Sequence, residues 1–306
     1  MGPLLFNIFM CDLFIIVNNI DIANYADDNT PFVSGNTLAE ATEFLKDVSV
    51  NLFEWFSNNQ MKANPDKCHL LTSSMAQTCI KLKGHEITSS KCEKLLGVTI
   101  DSKLNFDVHL NKIITKARQK VHVLARIAPY MNISRRKLIM NSFFTSQFNY
   151  CPLVWMCHSR SMNNKINRLH ETCLRIIYSD KTSSFEELLQ KDGSVTIHVR
   201  NIQKLATEMF KVYKNLAPPI FSDLFDIRQN PYNLRHCSYF SIPNVNSVYH
   251  GSESLSNLGP RIWNLVPDRL KQLDSINSFK TEIKKWRPDD CPCRLCKSYI
   301  ANVGFV

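Results

Sequence analysis

Two adjacent carboxylates, Asp27 and Asp28, stand between an apolar run (Ile20, Ile22, Ala23) and a β-prone run from Thr30 to Val33. This reads as strand, tight turn, strand, with the acids at the tip. Neighbouring like charges repel, so the arrangement points to a cation beside them. Mg²⁺ takes oxygen ligands and uses one or two carboxylates plus substrate phosphates. Two such ions clamp the attacking and leaving oxygens of phosphoryl transfer. Taken alone, Tyr25-Ala26-Asp27-Asp28 equally describes a solvated hairpin turn.

The order of the surrounding motifs narrows the choice. Met1-Gly2-Pro3-Leu4-Leu5-Phe6-Asn7-Ile8-Phe9 precedes the acids, and Asn64-Pro65-Asp66-Lys67-Cys68 and Lys94-Leu95-Leu96-Gly97-Val98-Thr99-Ile100-Asp101 follow. Tyr150-Cys151, Val154-Trp155, Gly259-Pro260-Arg261-Ile262-Trp263-Asn264 and Ser278-Phe279-Lys280 continue the series to near the end of the chain. In this order and spacing the sequence closely resembles reverse transcriptases of jockey-like non-LTR retrotransposons. The resemblance implies an α+β fold: a partial palm over 1–101, a helical, basic thumb and connection over 102–219, and a mixed C-terminal extension with a Cys-rich tail over 220–306. It also implies RNA-directed DNA polymerase activity with an RNA template, a DNA primer, dNTPs and two Mg²⁺ ions. By the same resemblance Asp27 is the principal metal ligand, Asp28 its weaker neighbour, and Tyr25 packs against the sheet beneath the primer end. Lys67 neutralises or protonates the departing pyrophosphate. Gly97, read as lying within a strand, lets the backbone approach the primer.

The resemblance further implies fingers, an endonuclease domain and another metal-binding aspartate, all outside this sequence. Neither Asp12 nor Asp21 matches that aspartate. The expectation is a truncated reading frame, or one begun at an internal Met, that is silent as a polymerase.

A chain of 306 residues with 44% hydrophobic content is long enough for two domains with cores of their own. Eleven Cys without a signal peptide read as reduced thiols of an intracellular protein, nuclear or cytoplasmic. The apolar stretch Leu4–Val17 lacks a basic leader, contains Asn7 and Asp12, and is short for a membrane span, so it is expected to be a buried palm helix. Residues 1–100 hold 7 basic against 11 acidic side chains, whereas 111–181 hold 13 basic against two. Such concentrated positive charge suits a phosphate backbone, and Lys112, Lys116, Arg118, Lys120, Arg135 and Arg136 are the expected contacts.

Thr37-x-x-Glu40 has the form of a capping box opening a helix to about Asn58. A hairpin is expected around Lys83-Gly84-His85, and strands near 67–73 and 95–101. From 107 the period turns helical. Ser134, Ser161 and Ser184 are expected caps, with a helix at 196–216 ended by Pro218-Pro219 and further helices at 261–272 and 275–286. Cys291, Cys293 and Cys296 are a possible Zn²⁺ set, with His236, Cys237 or His250 as a fourth ligand; the alternative is an unmetallated reduced tail. His85, His109, His122, His158, His170 and His198 stand singly and read as surface or satisfied core residues. A second functional class, needing no metal, is a non-catalytic nucleic-acid-binding helical module. A third is a retrotransposon remnant without a role.

Overall fold

The structure is a computed structural model describing residues 1–16, 21–74, 76–227, 239–247 and 251–288, with Cys291, Cys293 and Leu295. The chain mixes helix and strand and divides into two compact units, Met1–Leu104 and Asn105–Val306.

In the first unit, helices α1 (Gly2–Phe9) and α2 (Leu13–Ile16) precede a hairpin of β1 (Asp21–Tyr25) and β2 (Asp28–Phe32). Tyr25 pairs with Asp28, which leaves Ala26 and Asp27 as a two-residue loop. Helix α3 (Leu38–Asn58) starts where Thr37 accepts the Glu40 N–H at 3.2 Å. The Glu40 carboxylate accepts from Asn36 N–H at 3.0 Å instead of Thr37, so only half of the expected capping box forms. Val48, Leu52 and Trp55 of α3 pack with Met10 and Leu13, while Phe53 packs with Leu70, Ile80 and Leu82. Strand β3 (Leu70–Leu71) runs parallel to β5 (His85–Ser90), and β4 (Cys79–Leu82) pairs antiparallel with β5. Strands β6 (Cys92–Leu95) and β7 (Val98–Asp101) make a further hairpin.

Three expectations change here. The described strands form three small sheets in place of one palm sheet. The strand expected at 67–73 shrinks to Leu70–Leu71, because Asn64 accepts the Asp66 N–H at 3.0 Å and winds Pro65–Lys67 into a 3₁₀ turn. Helix α1 is not buried: Leu4, Leu5 and Ile8 are each at least 60% exposed, and among the described residues of this segment only Met10 and Leu13 are buried, alongside α3.

The second unit begins with α4 (Asp107–Ile127), α5 (Ile133–Phe143), α6 (Pro152–Trp155), α7 (Arg160–Tyr178), α8 (Phe185–Asp192) and α9 (Ile197–Tyr213). Leu110, Ile114, Ala117, Val121 and Leu124 of α4 meet Ile166, Leu169, Cys173, Leu174 and Ile177 of α7 in one core. At about 0.8 kcal/mol per buried methylene, such stripes supply the main stabilisation of helices otherwise marginal in water: about 2 kcal/mol for each large side chain. The caps of α5 and α7 lie two residues upstream of the expected serines. Asn132 accepts from Arg135 N–H, and Ser159 from Met162 N–H. Each linker offers two capping side chains, and tertiary packing selects the earlier one. Ser184 and Glu187 complete a reciprocal capping box at α8.

Helices α10 (Ile220–Leu224), α11 (Leu255–Leu265), α12 (Asp268–Lys271) and α13 (Ile276–Glu282) follow. α11 begins at Ser254, upstream of the expected 261, and carries Pro260 in its interior. A Cβ on Gly259 would lie 2.7 Å from Met209 Sδ and 2.9 Å from Phe225 Cε1, so the glycine allows α11 to approach α9 closely. Ile262, Trp263, Phe210, Phe279, Cys291, Cys293 and Leu295 share the resulting core. Among the described residues no helix is long and apolar enough to cross a membrane.

Candidate functional site

Ala26 opens the first hairpin's loop at φ +54°. A left-handed residue there matches the right-handed twist of the strands it joins. Asn24 and Asn29, opposite each other across the ladder, hydrogen-bond through their side chains. Asn24 Nδ2 also donates to Ala26 O (3.4 Å) and Asn29 Nδ2 to Asp27 O (3.2 Å). The loop is thus tied to its strands by an amide pair that motif reading passed over. Its only sequence signal was two asparagines placed symmetrically about Ala26-Asp27.

Asp27 and Asp28 are both exposed at this tip. Tyr25 is 67% exposed, so it does not pack against a sheet as expected. Side chains alternate along a strand, and the face carrying Tyr25 has no covering layer among the described residues. The two carboxylates suit a hard cation in kind. In number they are two: among the described residues, the ligand atoms of three His, Cys, Asp or Glu side chains converge only at His198, Cys291 and Cys293. Asp21 sits at the opposite end of the hairpin, paired with Phe32.

Lys67 is exposed and ends the 3₁₀ turn that Asn64 caps. Gly97 lies outside the strands. Leu96 (φ +44°) and Gly97 (φ +88°) form the loop between β6 and β7. Two successive positive φ values define a tight hairpin turn, for which glycine at the second position is the least strained residue. Lys83 (φ +48°) and Gly84 (φ +84°) repeat that geometry at the hairpin expected there.

Lys112, Lys116 and Lys120 recur every four residues along α4, away from its buried stripe. Lys112, Lys116 and Arg118 are exposed, and Lys120 Nζ lies 5.9 Å over the Phe143 ring. Arg135 is exposed in the first turn of α5. Arg136 has a different role. Its Nε donates to the carbonyls of Ala128 (2.8 Å) and Met131 (2.9 Å), and its Nη1 to Ile177 O (3.0 Å), Ile176 O (3.3 Å) and Ser179 Oγ (3.0 Å). The guanidinium clamps the end of α7 to the turn before α5, which corrects its expected role as a phosphate contact.

His85 and His122 are exposed; His109, His158, His170 and His198 are buried. His198 Nε2 stands 3.2 Å from Cys293 Sγ. The ligand atoms of His198, Cys291 and Cys293 all lie within 4.8 Å of one another. His158 Nδ1 faces the Trp155 carbonyl at 3.1 Å, and Cys157 Sγ donates to Glu253 O at 3.3 Å. Burial pushes the Cys157 thiol up to about 12, helped by Glu253, Cys293 and Cys291, and pushes His158 down to about 4. Cys296, His236, Cys237 and His250 lie outside the described residues. His198 therefore does not stand singly; its partners are more than ninety positions away in sequence.

Residues 1–100 match the family described as "Reverse transcriptase (RNA-dependent DNA polymerase)". Over 190 residues the chain is 29% identical to the RNA-directed DNA polymerase from mobile element jockey of Drosophila melanogaster. Over 192 residues it is 26% identical to the probable RNA-directed DNA polymerase from transposon BS of the same species. The jockey counterpart of Drosophila funebris is 25% identical over 190 residues. Each alignment covers 58% of this chain, which spans about a fifth (21%) of the length of each relative. No solved structure matches. The chain is thus related in sequence to the reverse transcriptases of jockey-type non-LTR elements, as its motif order implies.

Proposed function

We propose that this chain is the portion of an RNA-directed DNA polymerase of a non-LTR retrotransposon that carries the Ala-Asp-Asp hairpin and the segments following it. The observation that carries the reading is the exposed, amide-braced pair Asp27 and Asp28 inside the region that matches the reverse transcriptase family. In the full enzyme, Asp27 as principal ligand and Asp28 as its neighbour contribute oxygen ligands toward two Mg²⁺ ions. Such ions, when bound, stabilise the attacking 3′ oxygen and the leaving pyrophosphate in an in-line displacement. Lys67 is the proposed cation for the leaving group. RNA template, DNA primer and dNTPs are the proposed partners, with Tyr25, Gly97, Lys112, Lys116, Arg118, Lys120 and Arg135 near the nucleic acid.

The described residues do not bring a third carboxylate to the tip, so we also propose that the 306-residue polypeptide is catalytically silent alone. Losing one oxyanion-stabilising group typically costs about 3–4 kcal/mol of barrier, or several hundredfold in rate. Primer extension with Mg²⁺ or Mn²⁺, run beside Asp27→Ala, tests this. No extension is expected; extension that vanishes in Asp27→Ala overturns the silence.

A second reading, a nucleic-acid-binding helical module, is favoured by the lysine row of α4. Gel shifts over a salt series test it, because phosphate contacts make affinity fall steeply as salt rises. An absent or salt-insensitive shift rejects it.

A further inference from the structure

We propose that His198, Cys291 and Cys293 bind a structural Zn²⁺ ion, with the fourth ligand supplied by the Cys157-His158 step. The three residues are buried, at 6%, 2% and 5% exposure, and converge within one apolar core. They come from two distant segments: His198 from the first turn of α9, and the two cysteines from the chain beyond α13. In a tetrahedral site, Zn–S near 2.3 Å and Zn–N near 2.0 Å put neighbouring ligand atoms about 3.5–3.8 Å apart. A group already within 4.8 Å of one another, with one S···N distance of 3.2 Å, needs only side-chain adjustment to reach that geometry.

The donor chemistry selects the ion. Imidazole and thiolate suit zinc and other borderline-soft metals, while Mg²⁺ requires oxygen. The fourth position is adjacent. Cys157 packs against the core that contains Cys291 and Cys293, and His158 beside it in the chain is buried. The contact of His158 Nδ1 with the Trp155 carbonyl is the outer hydrogen bond that metal-ligating histidines use to fix their tautomer, and it leaves Nε2 as the basic nitrogen. Each coordinated thiol releases its proton to solvent on binding.

The ion would serve as a staple. At Cys291, Cys293 and Leu295 the chain packs into the core of α9 and α11. A bond from Cys291 and Cys293 to α9 and to the residue pair after α6 anchors it. This differs from the ligand set suggested by Cys spacing, because it takes two cysteines of the tail and a histidine that spacing could not associate with them.

The test uses the full chain, purified in reductant. After dialysis, zinc is measured by mass spectrometry, and Co²⁺ is titrated into the metal-stripped protein. The expected result is about one zinc per chain and tetrahedral cobalt ligand-field bands with thiolate charge transfer from two sulfurs (His158 as fourth ligand) or three (Cys157). Cys291→Ser, Cys293→Ser and His198→Phe should lose the ion, His198→Cys should keep it, and Cys79→Ser, at an exposed thiol, should be neutral. Chelation should lower the melting temperature of the wild type by at least about 5 °C, since metal bound only by the folded state stabilises it. Less than about 0.2 zinc per chain with no cobalt–thiolate band overturns the proposal. So does zinc retained in both Cys291→Ser and Cys293→Ser. The wild-type titration decides the matter even if a variant fails to fold.

Discussion

Arg136→Lys separates a cation that holds the fold from cations that meet a ligand. The Arg136 guanidinium makes five hydrogen bonds, four of them to backbone carbonyls at the ends of two helical segments. Carbonyls at a helix C-terminus have no partner within the helix, and a cation there is doubly favourable. Lysine retains the charge but has no planar fork, so it cannot serve the Ala128–Met131 pair and the Ile176–Ile177 pair together. Hydrogen bonds to charged groups contribute about 1.5–3 kcal/mol each, and shared donors count for less. Losing one of the two pairs should therefore cost about 2–4 kcal/mol. For a unit of roughly 200 residues that is a fall of about 5–12 °C in melting temperature. Differential scanning fluorimetry and urea titration read the stability. A gel-shift salt series reads the binding: its slope should match the wild type in Arg136→Lys and become shallower by about 1 in Lys116→Ala, if Lys116 meets phosphate. A melting temperature within 2 °C of wild type, with a shallower salt slope, would refute the assignment and return Arg136 to the binding surface.

Two further substitutions test the core. The His170 ring is stacked on Phe144 (5.2 Å) and edge-on to Phe185 (5.6 Å), and neither ring nitrogen has a hydrogen-bond partner among the described residues. Burial, reinforced by Arg200 and opposed by Asp192, lowers it to about 4. Between that value and about 6.5 the unfolded chain binds the extra proton, so stability falls as pH drops through this window and is level above it. The full contribution is about 3 kcal/mol. His170→Leu should therefore be more favourable at pH 5 than at pH 7.5 by about 2 kcal/mol in urea titrations; equal effects at the two pH values would contradict it. Gly259→Ala should cost about 1–3 kcal/mol by forcing Met209 and Phe225 aside, and an unchanged melting temperature would show that α11 and α9 can separate without loss.

Local chemistry was legible where one side chain decides the outcome. Thr37 and Ser184 cap their helices, and Lys83-Gly84 turns its hairpin. Where two neighbours compete, position slipped: Asn132 and Ser159 cap where Ser134 and Ser161 were expected, because both satisfy an N–H and packing chooses between them. The resemblance implies a strand through Gly97, where the structure has a turn. A positive φ at Leu96 beside it has no sequence signature, because leucine rarely adopts one. A helix is expected only from 261, just past Pro260. In fact Ser254 starts the helix earlier, and proline forfeits only one backbone hydrogen bond in a segment held by Ile262 and Trp263 in the core.

Charge was the poorest guide to role, and the reason is general to basic helical surfaces. Composition counts cations without saying what their donors face. Of the cations expected to meet nucleic acid, Lys116, Arg118 and Arg135 are exposed, while Arg136 serves backbone carbonyls. Acidity misleads in the opposite direction: Asp180 accepts from Ser183 and Thr182 backbone N–H groups, both their hydroxyls and Lys191, which hold its carboxyl well below the usual range. It closes the turn after α7 and pairs with Lys191. The hairpin acids are the converse case. Among the described residues no cation or N–H faces the Asp27 or Asp28 side chains, which leaves both carboxylates open to a ligand. A carboxylate that the fold leaves uncompensated at a braced tip is better evidence of a binding role than one in a dense cluster, and this is why we propose Asp27 and Asp28, and not Asp180, as the site.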